Sequence, residues 1–225
     1  MKLYSKSFVI MLFALNSACI FAQNDLTVNE VINKIKSEVK VDWATETVDN
    51  IKAGDPNTKI TGIATTFMAS LAVLQKAKAM GCNFIITHEP TFYSHSDNLK
   101  THENDPIQEA KLKYILDNGL IVWRFHDHIH RIAPDQIYEG VIQKLGWESY
   151  KMDEKYIMAI PEMSLNEIVK QISKRMNAKT IRVVGDKNSK FSKVGLVLGA
   201  AGSGAHFKTL QNPDCELLIV GETNE

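Results

Sequence analysis

Several features that would assign a protein of this size to a common class are missing from the chain. The 225 residues include only three cysteines, and no disulfide framework is visible among them. The formal net charge is zero, so the composition shows no excess of positive charge that would favour binding to nucleic acid or to an anionic membrane surface. The sequence also lacks a P-loop and a dinucleotide-binding glycine fingerprint. We therefore expect no nucleic-acid partner, and any nucleotide substrate would have to be held by local contacts.

Long apolar runs are also missing. The apolar stretch at residues 8–15 is too short for a membrane-spanning helix, which needs about 20 residues. It follows Lys2 and Lys6, and Ala22 offers a small residue for cleavage, a combination typical of a secretory signal peptide. We predict that residues 1–22 are a signal peptide and that the protein is exported, either to the periplasm or out of the cell.

The cysteines allow one alternative to a free exported domain. Leu15 lies one position too far from Cys19 to complete a lipoprotein processing box, so lipid anchoring is the weaker interpretation. Cys82 and Cys215 flank apolar segments, where a lone cysteine is usually a small buried hydrophobic residue. The remaining composition, 44% hydrophobic and 23% charged, is that of an ordinary globular protein.

Helix and strand signals alternate along the chain, and this alternation predicts an α/β fold. Capping boxes at residues 27–30 and 164–167 predict two helix starts, and Asp105 followed by Pro106 predicts a third. The predicted helices are 27–39, 68–80, 105–119, 134–146 and 164–176. The predicted strands are 59–66, 83–87, 120–125, 156–160, 180–184, 193–198 and 216–220. Turns are expected at 49–57 and 199–204, and a polar loop at 90–104. We expect a parallel or mixed sheet covered by helices.

The order of these elements suggests two similar α/β lobes. Residues 23–150 would form an N-terminal lobe, and residues 151–225 a second lobe. The second lobe ends a few residues after its last predicted strand, where an α/β domain normally adds a covering helix. We therefore expect a C-terminal part of this lobe to be missing.

Four of the seven histidines lie in two short clusters, residues 87–90 and residues 126–130. Each cluster directly follows an apolar run that is typical of a buried parallel strand. Open α/β sheets form their sites beyond the carboxyl ends of such strands. Imidazole and carboxylate groups together suit Zn, Mn or Fe, whereas an all-oxygen set would favour Mg or Ca. The two clusters therefore predict a divalent metal site in the N-terminal lobe.

The spacing inside the clusters suggests which side chains share a face. The histidines of residues 126–130 alternate, so a continuing strand would place all three on one face and Asp127 on the other. His88 and Glu89 are adjacent, but Pro90 indicates that the strand has ended, which would let both reach one site. Isolated histidines are usually structural, and this group comprises His95, His102 and His206.

The first cluster resembles the motif of a known family, the dinuclear metal-centre hexameric proteins, also labelled type 2 GTP cyclohydrolase-like. The similarity covers residues 62–92, with a predicted helix, Gly81 and the sequence Ile-Ile-Thr-His-Glu-Pro. In that family the strand ends in Ile-Thr-His-His-Pro, and both histidines bind metal. His88 matches the first of them. Glu89 replaces the second, which keeps a ligand but exchanges a neutral nitrogen for an anionic oxygen.

The second cluster resembles another motif of this family, a His and an Asp separated by three residues and followed by a helix that ends in Leu-Gly. His126 matches the His, and His130 stands where the family has the Asp. The metal ligands that the resemblance implies are His88, Glu89, His126 and His130. The neighbouring Asp127 or His128 would orient a ligand or transfer a proton as catalytic residues.

The rest of the chain extends the resemblance over nearly all of residues 26–225. Residues 199–204 resemble the family's glycine-rich turn, and residues 217–222 resemble its Ile-Thr-Gly-Asp/Glu strand. The family's last two ligands, a His and a Glu near the C-terminus, have no counterpart before Glu225. By this comparison we expect a truncated member of the family.

The resemblance implies a function as well as a fold. Two metal ions about 3.5–4 Å apart can generate a hydroxide and stabilise the oxyanion that forms when it attacks. The implied function is a metal-binding protein with a dinuclear centre that acts as a metal-dependent hydrolase on a small molecule, with cyclohydrolase-type ring opening as one candidate reaction. The resemblance also implies a homohexameric ring. Export argues against intracellular GTP as the substrate. The alternative is a non-catalytic metal-binding or scaffold protein. A metallo-β-lactamase or amidohydrolase site, which also uses His-x-His pairs, is the weakest interpretation because their further spacing is missing.

Overall fold

A computed structural model describes residues 26–153 and 156–223 of the chain. The predicted signal peptide, Cys19 and Glu225 lie outside the described residues. The helices are α1 (Val28–Val39), α2 (Leu71–Ala79), α3 (Pro106–Asp117), α4 (Gln136–Leu145), α5 (Leu165–Met176) and α6 (Ser203–Leu210). The strands are β1 (Ile51–Ala53), β2 (Ile63–Thr66), β3 (Phe84–Thr87), β4 (Ile121–Arg124), β5 (Ile157–Ser164), β6 (Lys190–Val197) and β7 (Leu217–Val220). The predicted α/β class is confirmed.

The first sheet has the strand order β1-β4-β3-β2. Strands β2, β3 and β4 are parallel, and β1 pairs with β4 in the antiparallel direction. Phe84, Ile85, Val122 and Trp123 are buried, as expected for strands covered on both faces. Thr87 lies opposite Arg124 in the β3–β4 register, so these two strands end side by side. The segments that follow β3 and β4 therefore leave the sheet at the same edge.

The second sheet has the order β5-β6-β7. Strands β6 and β7 are parallel and are joined through α6, whereas β5 pairs with β6 in the antiparallel direction. Helix α4 belongs to the core of this sheet, because Ile142 and Leu145 pack in one cluster with Trp147, Met158 and Val194. The sheets thus provide separate cores, while the division into lobes at residue 150 stays a prediction.

Helix starts are encoded locally, and the predicted ones are confirmed. Thr27 and Glu30 form the capping box of α1, and Ser164 and Glu167 form that of α5. The Asp105 side chain accepts from the backbone of α3, which begins at a proline that has no amide hydrogen to lose. In the described part of the chain, no helix is both long and apolar enough to cross a membrane.

Three sequence predictions of local structure are wrong. Residues 180–184 form no strand, and Val184 is 90% exposed, although Ile181 and Val183 are half-buried. Strand β1 lies inside the predicted turn at 49–57, because pairing with β4 overrides the neighbouring turn formers. The glycine-rich segment 199–204 leads directly into α6, which starts at Ser203.

Candidate metal centre

Three imidazole rings meet at the carboxyl edge of the first sheet. His88 directly follows β3, His126 lies two residues after β4, and His130 lies in a short 3-10 helix (Ile129–Arg131). One nitrogen of each ring lies within 4.8 Å of the others. The ring centroids are 4.7 Å apart for His88 and His126, 5.1 Å for His88 and His130, and 5.0 Å for His126 and His130. Three nitrogen ligands that leave a further position open are the pattern of a catalytic zinc site.

The path of the chain after β4 explains why these rings converge. The strand ends at Arg124, so the alternation expected for a continuing strand does not apply to residues 126–130. A turn at 127–128 and the short helix bring His130 back towards His126. The strand-based prediction that His128 shares a face with these two histidines is therefore wrong.

His128 has a different position, fully buried beneath the loop. Its Nδ1 lies 2.6 Å from the Asp49 carboxylate, and its Nε2 accepts a hydrogen bond of 2.9 Å from the backbone N–H of Ala44. Accepting at Nε2 places the ring proton on Nδ1, which donates it to Asp49. The ring also stacks on Trp43, with centroids 3.7 Å apart. Both nitrogens are occupied, so His128 is placed to support the loop and has no contact with the three-histidine group.

Asp49 is the anchor of this loop, and its role was missed by sequence reasoning. One carboxylate oxygen accepts from the backbone N–H groups of His126 and Asp127, at 2.6 and 2.9 Å. The other accepts from the backbone N–H of His128 at 2.9 Å, in addition to the ring. Asp49 is 3% exposed, so these bonds form in a buried environment. The only sequence signal at this position was a polar residue at the start of a predicted turn.

Asp127 orients the ring of His126. One carboxylate oxygen of Asp127 lies 3.0 Å from His126 Nδ1, and the other accepts from the Thr47 hydroxyl and the Val48 backbone N–H. Burial by itself would raise the pKa of Asp127, but the hydrogen bonds from His126, Thr47 and Val48 outweigh it and hold that pKa well below its usual range. The ionised carboxylate favours a proton on Nδ1, which leaves the Nε2 lone pair of His126 for a cation.

The protonation of His88 and the orientation of His130 also suit the binding of a cation. Burial lowers the pKa of His88, and the nearby rings of His126 and His130 lower it further. His88 is therefore neutral at neutral pH, the form that binds metal. His130 Nδ1 lies 3.3 Å from a carboxylate oxygen of Asp135, which can hold this ring as Asp127 holds that of His126.

Glu89, the fourth predicted ligand, has a different contact. Its Oε2 lies 3.8 Å from Nη2 of Arg124, and the carboxylate belongs to neither group of converging ligand atoms in the described residues. The second such group consists of His95, His126 and Asp127. His95 was missed because it is a single histidine in a polar loop without periodicity. The loop that follows β3 brings it to the site, and no short-range sequence pattern reports that path.

These observations define the class of protein: an α/β protein with three converging histidines, a group that could hold a metal ion, at the carboxyl edge of the parallel strands. Residues 26–225 match the model of the family Duf34/NIF3 (NGG1p interacting factor 3). The chain belongs to this family.

Relatives and solved structures agree with this assignment. The chain is 22% identical over 193 residues to a protein from Clostridium acetobutylicum named "GTP cyclohydrolase 1 type 2 homolog", covering 80% of this chain and 70% of that one. The fold is similar to that of Staphylococcus aureus protein SA1388, with a TM-score of 0.69 at 15% identity, covering 90% of this chain and 81% of that chain. A Bacillus cereus protein related to NIF3 has a TM-score of 0.69 at 14% identity, covering 89% and 83%. The resemblance seen in the sequence is confirmed.

Proposed function

We propose that this protein is a metal-dependent hydrolase of cyclohydrolase type, with a divalent cation held by His88, His126 and His130. The observation that carries the proposal is the convergence of these three rings, with one nitrogen from each within 4.8 Å of the others. The donor set fits such a cation, because partly buried neutral imidazoles suit Zn, Mn or Fe. When bound, the cation would supply Lewis acidity and activate water for attack on an electrophilic carbon or phosphorus of the substrate.

The chain's own residues supply orientation and charge. Asp127 keeps the proton of His126 on Nδ1 and so fixes which nitrogen faces the centre. Its carboxylate also lies at the edge of the site, where it can accept a proton from a reacting group only by giving up its present partners. We therefore propose Asp127 as a positioning residue and His128 as a support of the loop. Glu89 can act as a ligand only if its carboxylate moves away from Arg124.

An apolar cleft beside the site supports a small organic substrate. It has a volume of about 730 Å³ and includes the residues that directly follow Glu89. Its walls include Met68, Leu71, Phe92, Tyr93 and Ile107. Ligand sites are typically concave and mostly apolar, with a few polar groups that orient the ligand. Lys111 lines the same cleft and could contact a polar or anionic group of the substrate.

The proposal is tested by assaying the protein loaded with Zn, Mn or Fe(II) on a panel of esters, phosphoesters and nucleotides that includes GTP. We expect turnover that requires metal and falls about 100-fold or more in His130→Ala, in line with the loss of a residue that holds the catalytic group. His206→Ala is the matched control, because His206 lies on α6 beside the second sheet. It should leave turnover unchanged.

The same experiment separates the alternative function. Metal that raises the melting temperature without any turnover on the panel would favour a non-catalytic metal-binding or scaffold protein, because binding to the folded state stabilises it by mass action. Equal loss of turnover in His130→Ala and His206→Ala would contradict the assignment of the site.

Two further expectations rest on the family and on the N-terminal sequence. We propose a homo-oligomer, with the hexamer as the specific prediction, and analytical ultracentrifugation of the purified protein would measure it. We also propose export directed by residues 1–22, tested by N-terminal sequencing of the protein recovered from cell fractions. A protein recovered from the cytoplasm with Met1 in place would contradict export.

A further inference from the structure

We propose that Arg124 limits the metal centre to one cation per chain, held by His88, His126 and His130. This inference rests on the proposed metal site but not on catalysis. Its basis is that Glu89 and His95 are both held by the same buried guanidinium group. Asp127, the other member of the second group of converging ligand atoms, is already hydrogen-bonded to His126, Thr47 and Val48.

Arg124 is the last residue of β4, and its side chain is fully buried. Nε donates a hydrogen bond of 3.0 Å to the backbone carbonyl of His88. Nη1 donates to the backbone carbonyl of His95. The planar guanidinium thus joins the ends of two segments that carry histidines, and its donors are fixed in direction by these bonds.

The second terminal nitrogen of Arg124 faces the ligand atoms themselves. Nη2 lies 3.4 Å from His95 Nδ1 and 3.8 Å from Glu89 Oε2. An arginine cannot accept a hydrogen bond, so His95 Nδ1 must be the acceptor in this contact. The ring proton of neutral His95 then lies on Nε2, and neither of its nitrogens offers a lone pair to a cation.

Charged groups of both signs already surround Arg124, and Asp49 and Lys111 also interact electrostatically with members of this cluster. The buried cations are Arg124 and Lys52, and the carboxylates next to them are Asp97 and Glu89. Asp97 lies 3.5 Å from Lys52 and 3.9 Å from Arg124. Glu89 therefore already serves as a counter-charge. A second divalent cation at this place would compete with the guanidinium for Glu89 and would be repelled by it at short range.

The three-histidine group uses neither Glu89 nor His95 as a ligand, although the ring of His126 packs edge-on against that of His95, with centroids 5.3 Å apart. Its ring nitrogens face one another, and Arg124 touches His88 only through the backbone carbonyl. Arg124 therefore helps to position the His88 segment for one cation, and it competes with a second cation for Glu89 and His95.

The test is the zinc content of the 225-residue chain, measured by mass spectrometry of the metal after dialysis, together with affinity from competition with a chromophoric chelator. We expect one equivalent in the wild-type protein. Glu89→Gln and His95→Gln should each keep one equivalent with affinity within about threefold of wild type, because neither residue is a ligand. The matched controls are Glu109→Gln and His206→Gln, at sites outside the centre.

Arg124→Met should release Glu89 and His95 and raise the zinc content to two equivalents. Two equivalents in the wild-type protein, or none, would overturn the inference. A tenfold or greater loss of affinity in Glu89→Gln or His95→Gln, beyond that of its control, would also overturn it. If Arg124→Met fails to fold, the wild-type content and these two variants still decide the question. Zinc content is read without substrate, so an absence of hydrolysis would leave this result intact.

Discussion

The carboxylate of Asp49 accepts hydrogen bonds from both the backbone and the ring of His128, at 2.9 and 2.6 Å. It also accepts from the backbone of His126 and Asp127, so one buried side chain determines the path of the loop that carries His126. Asp49 and His128 are 79 positions apart in the sequence. The geometry of the candidate centre thus depends on a long-range contact that forms only when the first sheet is folded.

Replacing this carboxylate is expected to destabilise the protein strongly. Asp49→Ala would leave buried donors without an acceptor, and we expect the free energy of unfolding to fall by about 3 kcal/mol or more. Urea unfolding of the metal-free protein measures this change. Asp117→Ala is the control, because the exposed Asp117–Lys113 pair should contribute less than about 1 kcal/mol. Similar effects of the two substitutions would show that Asp49 is not an anchor.

Removing the charge of Asp127 is expected to weaken metal binding without removing it. Asp127→Asn keeps the shape of the side chain but no longer favours a proton on His126 Nδ1. Residues that orient a metal-binding histidine typically contribute about 10–100-fold to affinity, and we expect a loss of this size. Competition titration with zinc measures it, and Asp117→Asn serves as the control. Unchanged affinity in Asp127→Asn would contradict the proposed orientation.

The stability of the metal-free protein should depend on pH through His88. Its pKa in the folded state lies below the ordinary histidine value of 6.5, chiefly because of burial. The unfolded chain therefore binds a proton at this residue at a higher pH than the folded chain. The corresponding stability is fully present above about pH 6.5 and is lost as the pH falls towards the folded pKa. Urea unfolding between about pH 7.5 and about pH 5 should show a steeper loss for wild type than for His88→Gln. Parallel curves would refute this prediction.

The apolar cleft should contribute to substrate binding. Ile107 lines it and is 70% exposed, so a charged residue there costs little stability. For any substrate found in the panel, Ile107→Lys should raise KM by about tenfold and leave kcat and zinc content unchanged, since it removes apolar contact area. Leu116→Lys is the matched control, because Leu116 is exposed on the same helix but lies outside the lining of the cleft. An equal effect at both positions would exclude a role for the cleft.

The sequence was sufficient to predict the elements that position the site. Apolar runs followed by histidines identified β3 and β4, and capping residues identified the starts of α1, α3 and α5. These signals are local: a buried strand requires a run of apolar residues, and a capped helix start requires particular polar residues at fixed neighbouring positions. Three of the proposed ligands, His88, His126 and His130, could be selected from them.

The remaining features depend on contacts between distant positions. Asp49 and His95 reach the loop after β4 through turns that have no residue-type pattern, so neither could be assigned a role. The expectation that His128 shares a face with His126 and His130 came from strand alternation, which fails because β4 ends at Arg124. Strand β1 forms through its pairing with β4, a contact that the local sequence does not indicate. Residues 180–184 have a sequence typical of a strand, but they pair with no strand among the described residues.

The most direct test of the central claim is X-ray absorption spectroscopy of the zinc-loaded protein. If His88, His126 and His130 hold the cation, the spectrum will show three imidazole nitrogens at about 2.0–2.1 Å, and His126→Ala will lose at least one of them. His206→Ala should give the wild-type spectrum. A shell of oxygen ligands without imidazole scattering, or a spectrum unaffected by His126→Ala, would contradict the account.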